Sequence, residues 1–197
     1  MAGVKQFDQA QVLDQAMQVF WRRGYEATSI RDLTAATGLG RGSLYGAFGD
    51  KEGLFLAVID HYAELVQGQL VKALQHPDPQ QAIAQMFAVM IEHMSDANTP
   101  SGCLNTNTSL ECSGRSERIN RKIAERLGQL ESAIYEVLLR AQADGRLPSG
   151  LDIRAYARFF LAINQGIAVL NRAFADPSMI RDVAKVATVV WESTCQA

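Results

Sequence analysis

The chain is poor in the residues that form disulfide frameworks, metal sites and catalytic centres. Its 197 residues include three cysteines, an odd number with no C-x-x-C pair, which argues against a disulfide framework and a structural zinc site. The three histidines, His61, His76 and His93, are scattered, and no Ser-His-Asp, Cys-His or paired-carboxylate arrangement is visible by spacing. A phosphate-binding glycine loop is also missing. We therefore expect no enzyme, no metal and no cofactor.

Long apolar runs are missing as well. No segment approaches the roughly 20 apolar residues that a membrane span needs, and the N-terminal stretch MAGVKQFDQAQV has no apolar signal core. These absences predict a cytoplasmic protein without a membrane span. The composition, 48% hydrophobic and 20% charged, is typical of a folded chain. With a net charge of −2, any binding to nucleic acid must rest on local cations and should weaken strongly with salt. Those cations are Arg22, Arg23, Arg31, Arg41 and Lys51.

Residues 28–54, TSIRDLTAATGLGRGSLYGAFGDKEGL, predict two short helices, a tight turn between them and the start of a third helix. Helical spacing gives each short helix one apolar face; the residues are Ile30, Leu33 and Ala36 in the first helix and Leu44 and Phe48 in the second. Thr28 or Ser29 supplies the first N-cap. Gly38 permits the left-handed turn that follows. The segment is a helix-turn-helix.

The solvent face of the second short helix carries little side chain. Gly42 and Gly46 lie opposite Leu44, with Ser43 and Tyr45 on the flanks. Each interior glycine costs roughly 1 kcal/mol against alanine, so a compensating function is expected. Close approach of the backbone to a DNA major groove is one explanation. Close packing against another helix, with Tyr45 a half-buried surface aromatic, is the other.

The pattern T-S-I-x-x-L-x-x-x-x-G-L-x-x-G-S-L-Y-x-x-F-x-x-K-E-x-L closely resembles the DNA-binding domain of the tetracycline-repressor (TetR) family of bacterial regulators. The resemblance implies that Arg41, Gly42 and Ser43 face the major groove, and that Tyr45 and Lys51 contact phosphates. The DNA-binding residues predicted in this way are Thr28, Ser29, Arg41, Gly42, Ser43, Tyr45 and Lys51.

The whole chain is expected to be all-α, with about nine helices. Residues 1–50 would form the DNA-binding domain and residues 51–197 a ligand-binding and dimerisation domain. The helices beyond the helix-turn-helix are predicted at residues 51–74, 78–95, 103–112, 117–143, 152–174 and 177–195, after a first helix at 8–24. The helix of residues 51–74 begins within the DNA-binding unit and continues past it. Its predicted inward residues include Tyr62, Leu65, Val66 and Leu70.

The last two helices, 152–174 and 177–195, are apolar over more than one stripe. The excess residues are Ile153, Tyr156, Ile167, Val169, Val189 and Trp191. A helix that is hydrophobic on two sides needs two partners, so we expect a homodimer built on these helices. A two-fold dimer would read a palindromic operator in double-stranded DNA, with half-sites roughly 34–36 Å apart.

An effector cavity is expected between the helices of the second domain. The run G-C-L-x-x-N-x-x-L-E, starting at Gly102, resembles a subset of the TetR family in which a short helix borders that cavity. Candidate lining residues are Met86, Phe87, Met90, Cys103, Asn105, Tyr135, Phe160 and Asn164. Apolar and amide side chains suggest a moderately hydrophobic organic effector, although a methionine stripe is more often plain core.

These features predict a ligand-responsive dimeric regulator, a repressor that a small-molecule effector releases from its operator. One alternative trigger is covalent or oxidative modification of Cys103, whose thiolate a helix start would favour; the other reading of Cys103 is a small buried hydrophobe. An alternative of another class is a helical protein-interaction module without DNA binding.

Overall fold

A computed structural model describes residues 7–195, apart from the side chains of residues 192, 193 and 195. Residues 1–6, which belong to the N-terminal stretch considered above, lie outside this range. The described chain is all-helical, with nine helices, as predicted. They are α1 (Gln9–Arg23), α2 (Ile30–Thr37), α3 (Arg41–Phe48), α4 (residues 51–74), α5 (Pro79–Ser95), α6 (Leu104–Glu111), α7 (Glu117–Ala143), α8 (Ile153–Phe174) and α9 (Pro177–Cys195). None of them within the described range is long and apolar enough to cross a membrane.

Side-chain caps define most helix starts. Asp78 accepts hydrogen bonds from the backbone N–H groups of Gln80 and Gln81 at 2.8 and 3.0 Å, and Pro79 is the first helical residue of α5. Asp8, Asp50 and Asp152 cap α1, α4 and α8 in the same way. An aspartate at this position satisfies N–H groups that the helix itself leaves unpaired, which explains why the predicted bounds agree with the observed ones.

The N-terminal core joins the helix-turn-helix to α1, α4 and part of the second domain. Its largest fully buried side chains include Phe20, Leu33 and Phe55, and the cluster extends to Leu104 at the start of α6 and Ile119 on α7. Because these residues share one apolar cluster, the DNA-binding unit is seated directly on α6 and α7.

The helix α4 is irregular at its centre. Between Lys51–Tyr62 and Gly68–Leu74 lies a π-helical segment, Ala63–Gln67, in which the N–H of Gly68 donates to the carbonyl of Ala63. A π turn adds one residue and rotates the side chains that follow. The prediction that Leu65 points inward is therefore wrong: Leu65 is 43% exposed, and Gln67 is buried at 8% exposure.

The C-terminal core packs α5, α7, α8 and α9 around Ile83, Phe87, Ile134, Phe160 and Trp191. Some of the residues predicted to form the dimer interface belong to this core instead. Ile153, Ile167 and Trp191 are buried within one chain, Tyr156 is half-buried, and only Val169 and Val189 are exposed. Among the described residues, the large apolar side chains of α8 and α9 that are exposed are Phe159, Val169, Phe174, Val186 and Val189.

Candidate DNA interface and effector cavity

The helix-turn-helix is held by a capping box and by two buried leucines. Ser29 Oγ accepts a hydrogen bond from the N–H of Asp32, and the Asp32 carboxylate accepts one from the N–H of Ser29. Gly38 ends α2 with φ 65°, the left-handed conformation that the turn requires. Leu33 and Leu44 are buried beneath the two helices. This packing fixes α3 with its opposite face outward.

The outward face of α3 is bare. Arg41, Gly42, Ser43 and Gly46 are exposed, and a Cβ atom built on Gly42 or Gly46 would meet no described atom within 4 Å other than its chain neighbours and the backbone of α3 itself. Packing within the chain therefore does not require either glycine. Of the two explanations given for them, close packing against another helix of the same chain has no support in the described residues. Approach to an external surface, such as a DNA major groove, stays a prediction for both glycines.

Two basic side chains flank this face, and each is oriented by a tyrosine. The guanidinium of Arg41 lies 5.1 Å from the ring centroid of Tyr45, with Nη2 3.4 Å from the Tyr45 hydroxyl. The ammonium group of Lys51 lies 4.4 Å above the ring of Tyr25 and donates a 3.4 Å hydrogen bond to the carbonyl of Glu26. Such contacts of about 4–5 Å are cation–π interactions and limit the positions that each cation can take.

The environment of Tyr25 keeps its ring neutral beneath Lys51. Burial, together with the neighbouring carboxylates Glu52 and Glu26, raises the pKa of Tyr25 to about 12. The phenol therefore stays protonated at physiological pH. Nearby, Arg23 is paired with Asp32 at 2.5 Å, which compensates part of the positive charge on this side of the molecule.

The remaining predicted DNA contacts differ in accessibility. Thr28 is only 1% exposed, and its hydroxyl donates to the carbonyl of Gly24 at 2.6 Å. That hydrogen bond gives Thr28 a structural role in the loop before α2, and its approach to DNA stays a prediction. Ser29 is exposed, and its hydroxyl donates to Asp32 at 2.6 Å.

A small cavity lies between α4, α6, α7 and α8. Its volume is about 30 Å³, whereas cavities that hold drug-sized ligands reach roughly 300–1,000 Å³. The side chains around it are apolar apart from one tyrosine, one cysteine and four amides. The lining residues are Tyr62, Val66, Gln67, Leu70, Cys103, Asn105, Leu127, Leu130, Asn164 and Gln165.

Three of the eight predicted lining residues, Cys103, Asn105 and Asn164, meet at this cavity. Met90 belongs to the C-terminal core and does not line the cavity, although its Sδ accepts a 2.9 Å hydrogen bond from the side-chain amide of Asn164. The other four lie elsewhere. Met86, Phe87 and Phe160 are part of the C-terminal core, and the ring of Tyr135 lies 3.9 Å from the guanidinium of Arg154. For all eight residues a ligand role stays a prediction.

Sequence reasoning did not identify Tyr62, Gln67 and Gln165 as cavity residues. The Tyr62 hydroxyl donates to Cys103 Sγ at 3.3 Å, and burial raises the pKa of Tyr62 well above its usual value, so the hydroxyl stays a donor. Gln67 and Gln165 are amides on otherwise apolar helix faces. A polar residue in such a position is the feature of the sequence that could have identified them as cavity residues. No cluster of metal-ligating side chains occurs among the described residues.

Comparison with known proteins agrees with this architecture. Residues 12–58 match the family model for bacterial regulatory proteins of the tetR family, and residues 79–187 match the tetracyclin repressor-like C-terminal domain. The HTH-type transcriptional repressor ComR of Escherichia coli is 33% identical over 95% of this chain and 90% of its own length. The HTH-type transcriptional regulator YezE of Bacillus subtilis is 31% identical, with 98% and 100% covered.

A solved structure shows the same fold on DNA. A cysteine mutant of the TetR family regulator CifR, complexed with 26-bp double-strand operator DNA, superposes with a TM-score of 0.88 at 29% identity. The match covers 95% of this chain and 98% of that one. Two family models match the chain, relatives align with it over nearly its whole length, and a solved structure of the family shares its fold. The chain belongs to the TetR family of bacterial transcriptional regulators.

Proposed function

We propose that the protein is a dimeric repressor that binds a palindromic operator and releases it when a small molecule occupies the cavity between α4, α6, α7 and α8. The observation that carries the proposal is the bare outward face of α3. Gly42 and Gly46 weaken the helix and serve no packing purpose within the described chain. A major groove that the helix backbone approaches closely explains both glycines.

The side chains around this face suit distinct roles. Arg41 and Ser43 are exposed on α3 and can donate to base edges in the groove. Tyr45 and Lys51 are the phosphate contacts. Ser29 and Thr28 lie where the DNA backbone would approach the protein. Phosphate contacts fix position, and base contacts specify sequence. The division of the chain at residues 50 and 51 into a DNA-binding and a ligand-binding domain is part of this proposal.

Dimerisation follows from the exposed apolar side chains of α8 and α9. Phe159, Ile163, Val186 and Val190 line an apolar groove between these helices. A second copy of the same hairpin would cover it across a two-fold axis and set two α3 helices roughly 34–36 Å apart. Because chromosomal DNA is the target, we propose a cytoplasmic protein.

Release of DNA would run through α4. The cavity of about 30 Å³ is too small for an organic effector, so the effector must bind a conformation in which α4 and α7 have separated. A ligand shifts the population only if it binds that conformation more tightly. The helix α4 begins at Lys51 beside the helix-turn-helix and passes the cavity at Tyr62 and Gln67. Its movement therefore changes the distance between the two α3 helices of the dimer, which then no longer match the two half-sites of the operator.

A second trigger is chemical modification of Cys103. The observation in its favour is position: Cys103 is half-buried, lines the cavity, and receives a hydrogen bond from Tyr62. The Cys103 thiol would release its proton to solvent, and its sulfur would add to the activated C=C bond of an electrophile; the π bond breaks and the neighbouring carbon takes up a proton from solvent. The Gly102-Cys103-Leu104 run leads us to propose that the protein belongs to the subset of the family in which this short helix borders the ligand site.

The direct test is selection of bound sequences from a random duplex library with the full-length protein. We expect a palindromic consensus sequence. The variants Arg41→Ala and Tyr45→Phe should bind this sequence more weakly, and Lys51→Glu should bind all DNA more weakly. If Arg41→Ala and Tyr45→Phe both bind as the unmodified protein does, α3 is not the recognition helix. Failure to enrich any sequence at moderate salt would favour the protein-interaction module instead.

The trigger is tested on the same complex with N-ethylmaleimide. Loss of operator binding in the unmodified protein, and not in Cys103→Ser, assigns the trigger to the thiol. Loss in both proteins excludes Cys103 as the required group. No loss in either favours an effector that binds without a covalent bond.

A further inference from the structure

The cavity carries unpaired hydrogen-bond acceptors. The side-chain oxygens of Gln67 and Asn105 are buried and accept no hydrogen bond from any described residue. Both residues line the cavity, and they are 8% and 3% exposed. A buried polar atom without a partner is costly, and a native structure that keeps two of them in one place needs an explanation.

The orientation of Gln67 makes its oxygen the free end. Its side-chain N–H₂ group donates to the carbonyl of Arg126 on α7. The amide plane is fixed by that bond, so only the oxygen is available to another molecule. Gln67 is also the last residue of the π-helical segment of α4, which sets this oxygen at the point where α4 departs from regular geometry.

Three other polar side chains around the cavity, those of Tyr62, Asn164 and Gln165, already have partners. The Tyr62 hydroxyl donates to Cys103 Sγ. The Asn164 amide donates to Met90 Sδ and accepts from Gln165 at 3.0 Å, and the Gln165 oxygen accepts from the Thr106 hydroxyl at 2.5 Å. The side-chain oxygens of Gln67 and Asn105 are the buried acceptors of this cavity that remain without a donor among the described residues.

The cavity also has no charge. None of the described residues that line it is acidic or basic, and Val66, Leu70, Leu127 and Leu130 supply apolar surface. Burying an ionised ligand group without a partner of opposite charge would cost far more than a hydrogen bond returns. A cavity of this size has room for a water molecule, and a ligand that displaces water must replace its hydrogen bonds to keep affinity.

We infer that the effector is a small uncharged molecule with an apolar body that donates hydrogen bonds to the side-chain oxygens of Gln67 and Asn105, such as an alcohol, a phenol or a primary amide. The inference rests on the proposed function and names the chemical class of its ligand. Anionic and purely hydrocarbon molecules are excluded as effectors. Contact with Gln67 engages α4 at its π-helical segment, on the path to the DNA-binding unit.

The test compares matched probes on the full-length protein. Phenol and benzyl alcohol are titrated against their methyl ethers and against benzoate, with binding measured by calorimetry and operator release by fluorescence anisotropy. One donated hydrogen bond should make each hydroxyl probe bind roughly three- to tenfold more tightly than its ether. The same ratio is measured in Gln67→Met and Asn105→Leu, and in Thr108→Val, a buried residue of α6 that does not line the cavity.

We expect the preference for the hydroxyl probe to disappear in Gln67→Met or Asn105→Leu and to persist in Thr108→Val. Because the ratio is taken within one protein, a loss of stability in a variant does not imitate the result. The inference is overturned by equal binding of hydroxyl and ether, by tighter binding of benzoate, by a preference that survives both substitutions, or by no binding of either hydroxyl probe at millimolar concentration. Operator binding without any probe is measured in parallel: its absence removes the proposed function, and its presence without discrimination removes only the ligand class.

Discussion

The carboxylate of Glu111 accepts a hydrogen bond of 2.7 Å from the backbone N–H of Glu26, although the two residues are 85 positions apart. The same carboxylate accepts a 3.0 Å bond from the N–H of Tyr25. Glu111 ends α6, and Cys103, at the other end of α6, lines the cavity. The helix α6 thus joins the effector cavity to the loop before the helix-turn-helix.

Gly24 makes this contact possible. A Cβ atom at Gly24 would lie 2.6 Å from Glu111 Oε2, and the backbone there has φ 87°. Both facts require glycine, because a side chain would displace the carboxylate and would strain the backbone. The contact therefore depends both on the carboxylate of Glu111 and on the glycine at position 24.

Replacing Glu111 by alanine should loosen this connection. Two backbone N–H groups lose a charged acceptor, and since the site is partly exposed we expect a loss of about 1 kcal/mol in the free energy of unfolding. Urea denaturation measures the loss, and hydrogen exchange at the amides of Tyr25 and Glu26 should become faster. The same substitution at the exposed Glu136 of α7 is the control. Unchanged exchange at both amides would mean that the carboxylate does not hold the loop.

His93 should make stability depend on pH. Its ring stacks on Trp21, with centroids 5.7 Å apart, and burial lowers the pKa of His93 below its usual 6.5 while Asp96 acts in the opposite direction. The folded state therefore prefers neutral imidazole. Well above pH 6.5 both states are neutral and nothing is lost; as pH falls towards and below 6.5 the unfolded state takes up the proton first.

We accordingly expect the free energy of unfolding to fall as pH decreases from 6.5 through the lower pKa of the folded state. His93→Phe keeps a ring against Trp21 and removes the titration, so its stability should decline less over that interval. Denaturation of both proteins in parallel corrects for the carboxylates, which they share. Identical pH profiles would show that the His93 ring is not held neutral in the folded protein.

The sequence predicted the helices well because their limits are set by local chemistry. The helix at residues 117–143 was predicted with the bounds that α7 has, and Asp78-Pro79 announced the start of α5. Capping and helix-breaking act within three or four residues. Family resemblance added the position of α3, whose exposed face carries the predicted groove-facing residues.

The cavity was harder to predict, because it depends on which faces of four helices meet. A π-helical segment in α4 turns Leu65 outward and Gln67 inward, and an apolar pattern that contains both Leu65 and Val66 gives no sign of the added residue. The contact between Glu111 and Glu26 joins distant parts of the chain. No local sequence pattern predicts the π-helical segment or this long-range contact.

A carboxylate on the exposed face of α9 should dissociate the dimer. Val186 is 62% exposed beside the apolar groove of α8 and α9, so Val186→Glu would bury a charge in the proposed interface. Because the interface is two-fold, the charge enters twice, and we expect the dissociation constant to rise at least about tenfold. Sedimentation equilibrium measures it. Leu110→Glu on α6, where the leucine is 69% exposed, is the control, and a dimer that survives Val186→Glu unchanged would place the interface elsewhere.

Adding methyl groups to the bare face of α3 should separate stability from DNA binding. Apart from the chain neighbours and the backbone of α3 itself, no described atom lies within 4 Å of a Cβ position at Gly42 or Gly46, so alanine fits at both without a clash in the chain. Alanine favours the helix over glycine, and the double variant Gly42→Ala/Gly46→Ala should gain up to about 2 kcal/mol in the free energy of unfolding.

The same two methyl groups would stand between the α3 backbone and the groove, so operator affinity should fall while stability rises. Thermal denaturation and fluorescence anisotropy with operator DNA measure the two effects. Gly128→Ala, in the middle of α7 and equally free of neighbours, should stabilise the protein and leave DNA binding unchanged. Since a stabilised protein cannot lose affinity through partial unfolding, weaker binding by the double variant assigns the glycines to the DNA contact, and unchanged binding shows that the backbone of α3 does not approach the groove.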